Sequence, residues 1–252
     1  MIFLNGHEVT PTIFPDQTSQ VWKLSLDDMN RRVVNGAISE IEWIFESENE
    51  FMHIAQLKDL LDTISHKVYL TVPYLPYARQ DKGIQRESTF ALHTFAKLLN
   101  ALKFDRVTCF DPHSDVARRI INNFREELPD SIIEALSTEL GALLCFPDKG
   151  AVEKYSRMNK PYIYGEKIRD RLTGWITDYH LSDTGSLEGT IILIIDDICD
   201  GGATFVHLVK RLKLNKAQAV HLFVSHGIFS KGTQILHDSG IDRIFTRKGE
   251  II

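Results

Sequence analysis

The sequence predicts an α/β protein of two similar halves, each with a mainly parallel sheet flanked by helices. Three observations carry this expectation. Short β-branched or aromatic runs recur along the chain, and each ends abruptly in a charged loop bearing Pro or Gly. Amphipathic helical spacings separate several of these runs, which is the alternation that builds parallel sheets. A polar stretch at 122–131, containing Pro129, has comparable strand and helix content on either side.

Taken in order, the residues before 50 read as strands interrupted by Pro11 and Pro15, with Trp22, Trp43 and Phe45 as core candidates. Six runs then follow the strand-to-loop pattern. Residues 69–72 lead into Pro73, 107–110 into Asp111-Pro112-His113-Ser114-Asp115, and 142–146 into Pro147-Asp148-Lys149-Gly150. Residues 162–164 precede Gly165-Glu166-Lys167, 191–195 precede Asp196-Asp197, and 221–224 precede Ser225-His226-Gly227. Helices are predicted where apolar residues recur at three- and four-residue spacing: Ile54, Leu57, Leu61, Ile64; Phe95, Leu98, Leu99, Leu102; and Phe205, Leu208, Val209, Leu212. The expected domains are residues 1–125 and 126–252. In open α/β sheets ligands bind beyond the carboxyl ends of the strands, so the charged loops are the candidate site.

Composition narrows the function classes. With 252 residues, 43% hydrophobic and 25% charged, the chain can bury a sizeable core. The longest aliphatic run, 191–195, is far short of the ~18–20 apolar residues of a membrane span, and no basic-then-apolar leader is seen. Cys109, Cys145 and Cys199 are widely spaced, which fits neither a disulfide framework nor a thiolate zinc site. The expectation is a cytoplasmic protein. A net charge of −5 argues against nucleic-acid binding, which needs clustered Lys and Arg. Any phosphorylated ligand must therefore be held locally.

Residues 191–204, Ile-Ile-Leu-Ile-Ile-Asp-Asp-Ile-Cys-Asp-Gly-Gly-Ala-Thr, supply a local device: a buried strand, an acidic turn, a Gly pair and a helix start near Thr204. Gly201 and Gly202 let backbone N–H groups approach an anion, while the Thr204 hydroxyl and the helix dipole add to the cradle. Asp196 and Asp197 are acceptors suited to two neighbouring sugar hydroxyls or to a hydrated divalent cation. A plain acidic turn with Asp200 as N-cap would explain Asp and Gly singly, but not two further acids directly after five aliphatics. Neither a Walker A loop nor a Gly-x-Gly-x-x-Gly fingerprint is present. The segment instead resembles the loop that binds phosphoribosyl pyrophosphate (PRPP) in type I phosphoribosyltransferases and in ribose-phosphate pyrophosphokinases, the PRPP synthetases.

Other loops choose between those families. Residues 72–81, Val-Pro-Tyr-Leu-Pro-Tyr-Ala-Arg-Gln-Asp, are similar to the PRPP synthetase signature, which simple phosphoribosyltransferases lack. The resemblance implies two phosphoribosyltransferase-like domains, the first carrying ATP loops and the second the ribose 5-phosphate and catalytic loops. It puts Arg79 and Gln80 at an ATP site, where a guanidinium fork suits phosphate oxygens. Asp111-Pro112-His113-Ser114-Asp115 resembles the family loop whose His is a ligand of ATP-associated Mg²⁺, implying His113 as an ATP and metal residue. By itself a strand-end His is as often a hydrogen-bonded loop residue. Pro147-Asp148-Lys149-Gly150 likewise implies Asp148 as a second metal residue, against the alternative of an Asp in a β-turn. Phe14 and Asp16 match an adenine-contacting segment, with Thr18 where an acid is expected.

Residues 164–169 occupy the place of the family's catalytic loop, so Lys167 and Arg169 are the implied catalytic cations, with Ile168 replacing a middle Arg. Ribose 5-phosphate is expected at Asp196, Asp197, Asp200, Gly201, Gly202, Ala203 and Thr204, with Arg169 reaching it. Gly201 stands where the family usually has Thr and Ala203 where it usually has Gly. His226 and Ser230 resemble a family turn and receive no chemical role. The implied activity is transfer of diphosphate from ATP to ribose 5-phosphate with Mg²⁺, in a homo-oligomer serving nucleotide biosynthesis. Two alternatives stay open: a catalytically silent regulatory subunit of the same family, and a nucleobase phosphoribosyltransferase.

Overall fold

Burial alternates residue by residue along the strands at 38–43 and 67–72, and this period places one face of each against helices. The structure is a computed structural model, which describes residues 1–22, 38–83, 88–169, 176–182 and 185–251. The chain divides into two compact units, Met1–Leu128 and Pro129–Ile252.

The first unit runs β1 (Ile2–Leu4), β2 (His7–Glu8), β3 (Thr12–Ile13), β4 (Ser19–Gln20), β5 (Ile38–Trp43), α1 (Glu50–Asp62), β6 (Lys67–Val72), α2 (Ala91–Ala101), β7 (Arg106–Phe110), α3 (Val116–Ile120) and β8 (Phe124–Glu127). Its sheet has the order β2-β1-β5-β6-β7-β8, with β5 to β8 parallel and β1 antiparallel to β5. Helix α1 forms because Ile54, Leu57 and Leu61 share a stripe, and all three are buried in the same core as Ile41, Trp43, Leu70 and Val72. Leu92, Phe95, Ala96 and Leu99 do the same for α2. The small β3–β4 hairpin is tied to α1 by Gln56, whose amide donates to Ser19 O (3.0 Å) and accepts from Val21 N (2.9 Å).

The second unit runs α4 (Asp130–Leu140), β9 (Leu143–Phe146), α5 (Lys149–Tyr155), β10 (Tyr162–Arg169), β11 (Ile176–Leu181), β12 (Ile191–Cys199), α6 (Ala203–Leu214), β13 (Ala219–Gly227), α7 (Gln234–Asp238), β14 (Arg243–Thr246) and β15 (Gly249–Ile251). The sheet order is β11-β10-β9-β12-β13-β14-β15, parallel except for the antiparallel edges β11 and β15. Residues 191–195 of β12 are apolar without alternation because both faces of the strand are covered. Ile192 and Ile194 join Phe205, Leu208 and Leu212, while Leu193 and Ile195 join Ile133, Ala151 and Tyr155. Each of these aliphatic side chains contributes roughly 1.5–3 kcal/mol by leaving water. Helix α4 ends at Gly141, whose left-handed conformation (φ 60°) a glycine adopts freely.

Four expectations are corrected. Strand β12 does not stop at Ile195 but continues through Asp196 and Asp197 to Cys199, because β13 runs on to Gly227 and supplies ladder partners, Val224 for Asp196 and His226 for Ile198. The presumed loop at 165–169 is strand, paired with β11 in a hairpin that joins Lys167 to Tyr179. Residues 124–127 of the polar stretch form β8, the sheet's edge. Trp22 is exposed rather than core, and its indole N–H donates to Thr12 Oγ1 at 3.0 Å. The three cysteines are buried thiols. Among the described residues no helix is long and apolar enough to cross a membrane.

Candidate functional site

In the second unit the strand order reverses between β9 and its neighbour β12, since the chain leaves β9 for β10 on one side and β12 for β13 on the other. That switch point opens a crevice beyond the carboxyl ends of the two strands, where α/β sheets take their ligands. Asp148 follows β9; Asp196 to Gly202 end β12 and begin the turn into α6.

Asp148 caps α5, its carboxylate accepting from Ala151 N at 3.1 Å. Its other oxygen accepts from Lys167 Nζ at 2.6 Å. Burial works against its charge, but the Lys167 ammonium and the backbone N–H groups outweigh it and hold the carboxyl below the usual carboxylate range. Across the crevice floor, Asp197 is buried, with Lys154 Nζ of α5 at 3.9 Å from its Oδ2. Asp196 accepts from the Asp197 N–H at 2.9 Å. Burial of its carboxyl first, and then the Asp197 charge, push Asp196 well above the usual carboxylate range. The site thus has three acids and two lysines, Asp196 raised by burial while Asp148 and Asp197 each face an ammonium group.

The turn after β12 is braced from outside. Gly202 has φ 77°, and a Cβ there would stand 2.9 Å from Leu236 Cδ2, so both conformation and space demand glycine. It is the residue preceding α6, and no side chain caps the helix; the first N–H groups of a helix have no intrahelical acceptor, which makes this start a place that suits an anion. The segment after β13 clamps the turn: Ile228 and Phe229 donate to Cys199 O at 2.8 and 3.1 Å, and Ser230 Oγ donates to Asp200 Oδ1 at 2.5 Å. The Lys231 stem passes 3.5 Å from where a Gly201 Cβ would stand. On the hairpin, Gly165 admits the Tyr179 ring, which a Cβ would meet at 2.8 Å.

In the first unit the loops after β5, β6 and β7 leave the same end of the parallel sheet. Arg79 and Gln80 are exposed, following the buried Ala78. Tyr77 takes φ 62° in this loop, a left-handed conformation costing an L-residue roughly 1–2 kcal/mol. His113 is exposed in the loop before α3, after a buried Asp111 at φ 47° whose N–H donates to Glu127 O. Phe14 and Asp16 lie in the β3–β4 turn, which closes on itself: Asp16 Oδ1 accepts from the Thr18 N–H (3.0 Å) and hydroxyl (2.7 Å), holding the Asp16 carboxyl below its ordinary range. Among the described residues no three His, Cys, Asp or Glu side chains converge as a metal site. Arg169 ends β10, and its side chain lies outside the described residues.

No protein-family model matches the chain. A ribose-phosphate pyrophosphokinase from Sulfurisphaera tokodaii is 24% identical over 251 residues, 95% of this chain and 83% of that protein. Another from Mycoplasmopsis pulmonis is 27% identical over 245 residues, covering 93% and 74% respectively. The phosphoribosylpyrophosphate synthetase structure from Mycobacterium smegmatis matches with a TM-score of 0.76 at 19% identity, over 95% of this chain and 79% of that one. By sequence and by fold, the chain is related to the ribose-phosphate pyrophosphokinases. The expected fold, two mainly parallel sheets flanked by helices, is the one this pyrophosphokinase relative adopts.

Within this site, sequence reasoning missed Lys154 and Lys231 and gave Ser230 no role. Lys154 follows Asp148 by less than two helical turns, so recognising Asp148 as a helix cap would have located it at the crevice. Ser230 showed only as part of a family-like turn and Lys231 left no local signal, because only the pairing of β12 with β13 brings their segment to the turn.

Proposed function

We propose that the protein is a ribose-phosphate diphosphokinase: the anomeric hydroxyl of ribose 5-phosphate attacks the β-phosphorus of ATP, an O–P bond forms there, the α,β-bridging bond breaks, and PRPP and AMP result. The observation that carries this reading is the crevice at the β9/β12 switch point, where a phosphate cradle, two acids and a lysine on a strand hairpin converge. The sugar phosphate is assigned to Asp200 through Thr204, with the phosphate on the α6 N-terminus and the ribose hydroxyls on Asp196 and Asp197. The nucleotide is assigned to the first unit's loops, through Phe14, Asp16, Arg79, Gln80 and His113.

Lys167 and Arg169 are the catalytic cations of this proposal. They offset charge on the transferring diphosphoryl group, acting by position and electrostatics without a covalent intermediate. Lys167 rests on Asp148, and in this proposal its ammonium exchanges that partner for phosphate. The candidate Mg²⁺ ligands are His113, in the first unit, and Asp148, in the second. Taken unit by unit, one imidazole or one carboxylate is too small a donor set for a resident hard cation, and each fits one that arrives already bound to the triphosphate. Such a metal would neutralise phosphate charge as the bridge breaks.

The test is formation of AMP and PRPP by purified protein given ATP, ribose 5-phosphate and Mg²⁺, with Lys167→Ala as the control for contaminating enzyme. Equimolar products absent from the control support the reading. A folded protein that binds nucleotide yet turns nothing over would instead be a silent regulatory relative.

A further inference from the structure

We propose that Tyr77 is a positioning residue for the nucleotide loop, locked by a hydrogen bond to Glu48 that joins the chain after β5 to the chain after β6; the inference rests on the assignment of Arg79 and Gln80 to ATP. A tyrosine in left-handed backbone conformation (φ 62°) is an outlier for a bulky residue, and such strain persists only where the surroundings over-determine it. Here they do. The Tyr77 hydroxyl donates to Glu48 Oε1 at 2.5 Å, and its ring packs against Phe95 of α2 at 5.4 Å between centroids.

The kink has a directional consequence. Ala78 N donates to Leu75 O and Gln80 N donates to Tyr77 O at 2.9 Å, so the chain doubles back around Tyr77. Ala78 turns into the core while Arg79 and Gln80 turn out, and Leu92 N then ties Gln80 O to the start of α2 at 3.2 Å. Two long polar side chains are thereby presented from a short, internally bonded loop that the phenol tethers to the chain after β5. The Glu48 hydrogen bond also pushes the Tyr77 hydroxyl up to about 12, so the tether keeps its proton at neutral pH. Glu48 itself is exposed ahead of α1, and it does not contribute to the apolar core.

Tyr77→Phe keeps the ring on Phe95 and removes only the hydroxyl; Glu48→Ala removes the acceptor; Glu48→Gln retains an amide oxygen that still accepts. Binding of α,β-methylene-ATP, whose bridge the proposed transfer cannot break, is measured by titration calorimetry on the full chain, alongside ribose 5-phosphate. Tyr77→Phe and Glu48→Ala should each weaken the nucleotide analogue by about tenfold, Glu48→Gln by less than about threefold, with sugar-phosphate affinity unchanged in all. A Tyr77→Phe protein that binds the analogue as tightly as wild type overturns the proposal. So does equal weakening of both ligands together with a lowered melting temperature, since the hydroxyl would then serve folding alone. Failure of the wild-type protein to bind the analogue would remove the nucleotide assignment beneath it.

Discussion

Lys167 Nζ, on the β10 hairpin, lies 2.6 Å from Asp148 Oδ2 at the start of α5. The residue proposed to stabilise the transferring group and a residue proposed to meet the metal therefore neutralise one another before substrate arrives. The Lys167 side chain is 19% exposed and Asp148 39%, so the pair is partly wet and can exchange partners. Under the proposed function, phosphate would compete with Asp148 for the same ammonium.

Lys167→Met is expected to reduce turnover by about 10²–10³-fold while leaving the KM for ribose 5-phosphate nearly unchanged, because the ammonium acts on charge that develops during transfer. Steady-state kinetics in both substrates checks this. An equal rise in KM with turnover intact would instead make Lys167 a ground-state ligand.

Asp196→Asn should raise the melting temperature at pH 8 and weaken ribose 5-phosphate binding by about tenfold. Because burial and the Asp197 charge raise the Asp196 carboxyl in the folded chain, folding favours its protonated form. Stability tied to that group is full below the unfolded carboxylate value near ~3.9 and declines as pH rises toward the elevated folded value. The gain from the asparagine thus grows with pH. Melting curves of both proteins across a series of pH values should diverge toward the alkaline end.

The neighbouring glycines should behave oppositely. Gly202→Ala meets both a left-handed backbone and Leu236 at 2.9 Å, and should cost about 1–3 kcal/mol in denaturant unfolding with loss of phosphate binding. Gly201→Thr meets Lys231 carbons at 3.5 Å or more, an ordinary contact. It should fold normally and bind ribose 5-phosphate at least as tightly, since it supplies a hydroxyl at the turn.

The fold was legible because its strongest signals are local: five aliphatics at 191–195 can be covered on both faces only inside a helix-flanked sheet. The cradle was legible for the same reason, its Gly pair and helix start being contiguous. The Lys167–Asp148 pair was not, since it depends on register. Tyr164 of β10 lies opposite Phe146 of β9, and only that pairing sets residues three and two positions further along side by side. The continuation of β10 past Tyr164 was hidden likewise, because a Gly-Glu-Lys sequence reads as loop until β11 provides its partner. Tyr77 was read as part of a signature, but a sequence carries no sign of a positive φ at an aromatic residue.

The buried cysteines make the wild-type chain a ready labelling background. Cys109, Cys145 and Cys199 have no exposed surface. Burial pushes the Cys145 thiol up, and burial with nearby Asp196 pushes Cys199 up to about 12. Thiolate is the reactive species, so maleimides should pass all three by while the protein is folded. His180→Cys, exposed on β11 opposite Glu166, would carry a fluorophore on the Lys167 hairpin without any native cysteine having to be removed.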